Sequence, residues 1–332
     1  MIKIILLILS FITFLIVLIL SLISYSRNKE DFIDDNILVL TENGKKKLPK
    51  SSFDKKNNLS IHLITLTDKN YFDLAKQLIN SFIEHNPQNN HKVTIYDVGM
   101  TENQIKELNN FEIKKITRSD NIYRDKVKII KDAYDNCNKD ILLFSDAACK
   151  FLAPSYRLTN FIKDNKFFAG TTQTPVLTWI KSNPYFYEYY KKNSIIDYTK
   201  DKQYDLNSEN SKEGLTGVET GFLGFLMKNK FTKDIIQELT NLEQNEGQLF
   251  EVWPPEQMVF SYILHQLLFS GKYPELKLHD HPNIRYDWIQ DKNKIAEKGT
   301  LSYDPEKDPI PFFGYCYHNR SSHPLTPDKR RK

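Results

Sequence analysis

The stretch Asp140-Ile-Leu-Leu-Phe-Ser-Asp-Ala-Ala-Cys-Lys-Phe151 decides how this chain is read. Four consecutive apolar residues, Ile141 to Phe144, end abruptly at Ser145-Asp146. A run of that length reads as a strand buried on both faces. A parallel sheet delivers such a terminal acid to its carboxyl edge, where open α/β sheets bind ligands. Asp146 is therefore a candidate site residue. The alternative is a strand-end Asp that caps the following turn.

The neighbouring pattern supports the sheet. Leu59 to Leu66 alternates and then turns apolar, as a strand does. Tyr71 to His85 carries apolar residues at helical spacing, with Asp68 as a capping candidate before it. Lys92 to Tyr96 reads as a strand ending at Asp97. Glu102 to Asn109 reads as a helix, Phe111 to Ile116 as a strand and Ile122 to Cys137 as a helix. Strands alternating with helices indicate an α/β region built on a parallel sheet with helices on both faces. Thr65, Thr67, Asp68, Asp97, Ser145 and Asp146 all fall at the ends of its strands.

The second half is more mixed. Strands are expected at Phe167 to Thr172 and Thr220 to Met227, and helices at Pro184 to Lys192, Phe231 to Leu242 and Glu256 to Phe269. Tyr198 to Glu213 is polar and unpatterned, a loop or lid candidate. Glu219 sits between Gly217 and Gly221, which reads as a turn before a strand.

Ahead of the α/β region, Ile4 to Tyr25 is an uncharged apolar run of 22 residues. As a helix it spans about 33 Å, enough for a hydrocarbon core of about 30 Å. It is too long for a cleaved leader and lacks a small-residue cleavage site. The expected organisation is a transmembrane signal-anchor with its flank over residues 1–26 and a polar stem over 27–58. A single catalytic-size domain follows over 59–320, then a basic tail over 321–332. Lys3 faces Arg27 and Lys29 across the span, so charge does not orient it. The acceptor patterns Asn58-Leu-Ser60 and Asn319-Arg-Ser321 favour a luminal body. That makes a single-pass type II protein facing the Golgi or ER lumen, or a host's secretory membranes for a viral chain.

Composition narrows the function. The 332 residues carry 46 Lys plus Arg against 42 Asp plus Glu, net +4. No basic stripe calls for a nucleic-acid partner. With 11 glycines and neither GxxxxGK[ST] nor GxGxxG, a P-loop kinase or a dinucleotide-binding dehydrogenase does not fit. The three cysteines, Cys137, Cys149 and Cys316, form neither a disulfide framework nor a zinc pattern.

Several residues together carry a family resemblance: Leu66-Thr-Asp-Lys-Asn-Tyr-Phe-Asp-Leu74, Ile95-Tyr-Asp-Val-Gly-Met100, Arg124-Asp-Lys-Val127 and Phe144-Ser-Asp-Ala-Ala-Cys-Lys-Phe151. They continue through Thr220-Gly-Phe-Leu-Gly224 and Glu256-Gln257 to Tyr317-His-Asn319. In that order they resemble a GT-A glycosyltransferase, and more narrowly a nematode-rich family of membrane-anchored glycosyltransferase-like proteins. The resemblance implies a nucleotide-sugar donor, a glycan or glycoprotein acceptor and a GT-A-like mixed sheet. The wider fold places a second Asp two residues after the first, and the pair holds Mn²⁺ or Mg²⁺. Here that position is Ala148.

The chemistry assigns candidate roles. Asp146 is the candidate metal and catalytic carboxylate, with His318 as a second metal ligand or a structural histidine. Lys126 and Arg124 are candidates for the donor diphosphate, the alternative being a solvated helix face shared with Lys128 and Lys131. Thr65, Thr67, Asp97 and Ser145 complete the donor set. Glu219 and Glu256 are candidate bases for an acceptor hydroxyl, although Glu256 also suits a helix N-terminus. Trp179 and Trp253 could stack on a sugar or sit in the core. The rival from another class is an inactive membrane-anchored glycan-binding or scaffold protein with the same fold.

Overall fold

The computed structural model describes residues 36–41, 44–49, 58–87, 90–151, 154–193, 216–251, 255–276, 286–287 and 316–317. The apolar run Ile4 to Tyr25, the loop Tyr198 to Glu213, Trp253, His318 and the basic tail lie outside them. Among the described residues no helix is long and apolar enough to cross a membrane.

Two short strands, β1 (Asn36–Thr41) and β2 (Gly44–Pro49), pair antiparallel within the region read as an unpatterned stem. Ile37 to Leu40 supplies the β-forming residues for that pair. The main body is a six-stranded sheet. In chain order it uses β3 (Ile61–Thr67), β4 (Lys92–Asp97), β5 (Glu112–Lys115), β6 (Ile141–Ser145), β7 (Phe167–Pro175) and β8 (Thr216–Leu226). In space the order is β5-β4-β3-β6-β8-β7. The first four run parallel. β8 runs antiparallel to both β6 and β7, so the sheet is mixed. A further short pair joins β9 (Tyr286–Asp287) and β10 (Cys316–Tyr317).

The crossovers of the parallel part are α1 (Phe72–His85), α2 (Glu102–Glu107) and α3 (Ile122–Asp135). α4 (Tyr156–Asn165) precedes β7, and α5 (Val176–Ser182) and α6 (Pro184–Asn193) follow it. After β8 come α7 (Lys230–Asn245) and α8 (Pro255–Phe269). The alternation of β6 explains its full burial. Leu142 and Phe144 pack into the core shared with α3, α7 and α8, while Ile141 and Leu143 pack with α1 and α4 on the other face. Gly224 lets β8 pass close to α4, because a Cβ there would lie 2.4 Å from Ile162 Cδ1 and 3.0 Å from Leu143 Cδ2 and those side chains would have to shift.

Three local readings change. α4 and α5 were not seen in the sequence, and β7 runs on to Pro175 rather than stopping at Thr172. Glu219 is not in a turn: β8 already begins at Thr216. Its glycines mark an irregular strand instead. Ala169 pairs with Leu223 but the next residue, Gly170, pairs with Glu219, so one step on β7 spans four on β8. Such a bulge re-aims side chains at the end of a sheet.

Candidate functional site

β6 is parallel to β3 and ends at the same edge. Because β8 is antiparallel, its first half rises past that edge, with Phe222 opposite Ser145. α3 leaves this edge after β5, so its first turns also lie there. The Asp146 amide donates to Gly221 O (2.7 Å), and its carbonyl accepts from Cys149 N (3.2 Å), closing a tight turn beside β8. Ser145 Oγ donates to the same carbonyl (3.1 Å). The Asp146 side chain stays 30% exposed. Ala148 presents only a nearly buried methyl.

Lys126 reaches this point from α3. The helix starts at a true cap: Asn121 Oδ1 accepts from Tyr123 N (3.0 Å) and Arg124 N (3.3 Å), and Asn121 Nδ2 donates to Phe250 O (2.8 Å). One turn later Lys126 Nζ lies 3.1 Å from Asp146 Oδ1 and 3.0 Å from Glu256 Oε1. It also stands 5.1 Å from the centre of the Phe144 ring. Burial alone pulls the ammonium pKa down, but Asp146 and Glu256 outweigh it and hold the value above that of an ordinary lysine. Lys126 is thus a permanent buried cation.

Glu256, in the first turn of α8, is nearly buried. Its Oε1 also accepts from Thr220 Oγ1 (3.0 Å), whereas Oε2 has no hydrogen-bond partner among the described residues. Glu219 stands beside it on β8 and accepts a hydrogen bond at Oε2 from Gln257 Nε2. Burial pushes the Glu219 carboxyl up to about 7; the charges of Glu256 and Asp146 add to that, and Lys126 opposes it. A carboxyl poised near neutrality among other acids is what proton transfer at neutral pH requires.

The structure therefore brings Asp146, Lys126, Glu256 and Glu219 together from four separate elements. Thr220 and Gln257 join them. Both stand in stretches that carry the family resemblance, but nothing in their local pattern assigns them a role. Arg124 lies elsewhere: its Nε is 2.8 Å from Glu243 Oε1, its Nη2 donates to Glu243 O (3.3 Å), and it packs on Gly247. Asp97 is almost fully buried and accepts from Gly99 N (2.8 Å) and Met100 N (2.6 Å), which folds the turn after β4. Thr65, Thr67 and Ser145 are also buried. Asp68 accepts from Asn70 N (2.8 Å) and Tyr71 N (3.1 Å) ahead of α1, and its Oδ2 is 3.3 Å from Arg118 Nη1. Arg118 is a cation at the same edge that sequence reading missed. Trp179 packs against the main core.

Mn²⁺ or Mg²⁺ does not fit the described donors. Among the described residues no three His, Cys, Asp or Glu side chains gather as a metal site. Asp146 Oδ1 faces the Lys126 ammonium, and Ala148 offers no side-chain oxygen.

No family model and no curated protein matches the chain. Solved structures do. The galactosyltransferase LgtC in complex with donor and acceptor sugar analogs is 13% identical, with a TM-score of 0.45 over 80% of this chain and 88% of that one. An active-site mutant of LgtC is 12% identical, with a TM-score of 0.43 over 80% and 89%. The apo WbbM bifunctional glycosyltransferase is 14% identical, with a TM-score of 0.40 over 66% and 40%. Likenesses this remote transfer no residue role.

Proposed function

We propose that this chain is a GT-A-type glycosyltransferase that moves a sugar from a nucleotide-sugar donor to a hydroxyl of a glycan or glycoprotein. The observation that carries the reading is Glu219, a carboxyl raised to about 7, grouped with Asp146, Lys126 and Glu256 at the carboxyl edge of the sheet. The sequence resemblance supports the same class and the narrower nematode-rich family. The apolar run Ile4 to Tyr25 supports a membrane anchor, and the two glycosylation patterns support a type II orientation with a luminal body. Asn58, in one of the two glycosylation patterns, is exposed.

For a transfer that inverts the anomeric carbon, the step is a single displacement. The acceptor oxygen bonds to the anomeric carbon while the bond from that carbon to the diphosphate oxygen breaks, and the electron pair leaves with the diphosphate. Glu219 takes the acceptor proton, and Gln257 holds its carboxylate in place. Asp146 is the exposed member of the group and faces the donor side, sharing the Lys126 ammonium with Glu256. Glu256 holds Lys126 and is itself held by the Thr220 hydroxyl.

The test is nucleotide release and sugar transfer by the full chain across a panel of nucleotide sugars, with Asp146→Asn as the control. Turnover that Asp146→Asn abolishes is the expected result. Neither binding nor turnover with any nucleotide sugar refutes the reading and favours the scaffold.

A further inference from the structure

At the place where the GT-A resemblance implies a divalent cation, this fold has a built-in ammonium. Lys126 Nζ stands 3.1 Å from Asp146 Oδ1, the one carboxylate that the turn after β6 offers. It cannot swing aside freely. It is 3.0 Å from Glu256 Oε1, and Glu256 is itself nearly buried, with Oε2 lacking a partner among the described residues. Withdrawing the ammonium would leave that carboxylate without a cation in a poorly hydrated place, which is strongly unfavourable. The helix that carries Lys126 is fixed at its start by the Asn121 cap and by the Arg124–Glu243 pair.

A divalent ion needs carboxylate oxygens at coordination distance and is repelled by a neighbouring ammonium. Here Asp146 is already engaged by a cation, and the acid that would offset a doubly charged ion is replaced by Ala148. Lys126 is shared between Asp146 and Glu256, so it lowers, without cancelling, the repulsion that Asp146 exerts on a donor diphosphate.

We propose that Lys126 takes the place of the divalent cation at Asp146, so that this site accepts a nucleoside diphosphate, and the sugar donor built on it, without a metal. The proposal rests on the transferase reading. It makes Lys126 a positioning residue, acting on the donor through Asp146.

The experiment uses the full chain in detergent, stripped of metal with a chelator. UDP, GDP and ADP serve as binding probes by calorimetry, and Mn²⁺ is followed separately by its electron paramagnetic resonance signal. The expected wild-type result is nucleotide affinity that agrees within about twofold in EDTA and in excess Mn²⁺. No stoichiometric Mn²⁺ should bind, with or without nucleotide. Lys126→Arg, which keeps the charge, should stay metal-independent. Lys126→Ala should lose at least about tenfold in nucleotide affinity in EDTA and regain it with Mn²⁺, because Asp146 and Glu256 are then open to a cation. If Lys126→Ala does not fold, the wild-type and Lys126→Arg titrations decide the matter alone. Wild-type nucleotide binding that disappears in EDTA and returns with Mn²⁺ overturns the proposal and leaves the transferase reading standing. No nucleotide binding under either condition overturns both.

Discussion

Glu219→Gln separates the electrostatics of this site from its packing. The substitution keeps the shape and leaves a carbonyl oxygen to accept the hydrogen bond from Gln257, so it removes the charge alone. In the folded protein the Glu219 carboxyl titrates at about 7 against an ordinary value of 4.5, chiefly through burial. Its folded pKa is raised, so its contribution to stability is complete below pH 4.5 and is lost as pH rises through 7. A gap of about 2.5 units at about 1.36 kcal/mol each gives roughly 3 kcal/mol of destabilisation once the group is fully ionised. The variant carries no such penalty. The two proteins should be equally stable near pH 4.5, and the variant should lead by about 3 kcal/mol at pH 8. In a body of this size that is roughly 5 °C in thermal midpoint. Urea unfolding of both full-length chains at matched pH values measures the gap, and titrations common to both cancel. Parallel stability curves from pH 5 to 8, or a variant less stable at pH 8, would refute the electrostatic assignment. Activity runs the other way. A base must be ionised, so wild-type turnover should rise with pH through about 7, while the variant should lose about 10²- to 10⁴-fold.

The other expectations follow from burial. Glu256→Gln leaves buried Lys126 paired with Asp146 and should cost about 2 kcal/mol. Asp146→Asn, at a site 30% exposed, should cost only about 1 kcal/mol while abolishing turnover, and equilibrium unfolding of the two variants compares them. Arg124→Met should lower stability by about 2 kcal/mol, because it leaves the nearly buried Glu243 without its closest cation, and should leave nucleotide affinity unchanged by calorimetry. Gly224→Ala should cost about 1 to 3 kcal/mol in the same unfolding assay, because its methyl meets Ile162 and Leu143 in a packed interior.

The parallel half of the sheet was legible because its signals are local. The apolar run of β6, the helical periodicity of α1 and α3 and the acids closing the strands depend on residues near in sequence. The second half was less so. Gly217 and Gly221 suggested a turn, but β8 is held by ladders on both sides and absorbs its glycines as a bulge. No local pattern reveals partner strands 41 to 85 residues away.

The candidate site divides in the same way. The sequence by itself determined which groups could do chemistry: Asp146 at a strand end, Glu219, Glu256 and a lysine on the preceding helix. It could not separate Lys126 from Arg124, which differ by two positions on one helix. Two residues turn an α-helix through about 200°, so Lys126 faces Asp146 and Glu256 while Arg124 faces Glu243. Only the tertiary structure decided that, and it also decided that Glu219 would titrate near neutrality. A pKa is set by burial and by charges brought through space, and the antiparallel return of β8 is what carries Glu219 to Glu256 and Asp146.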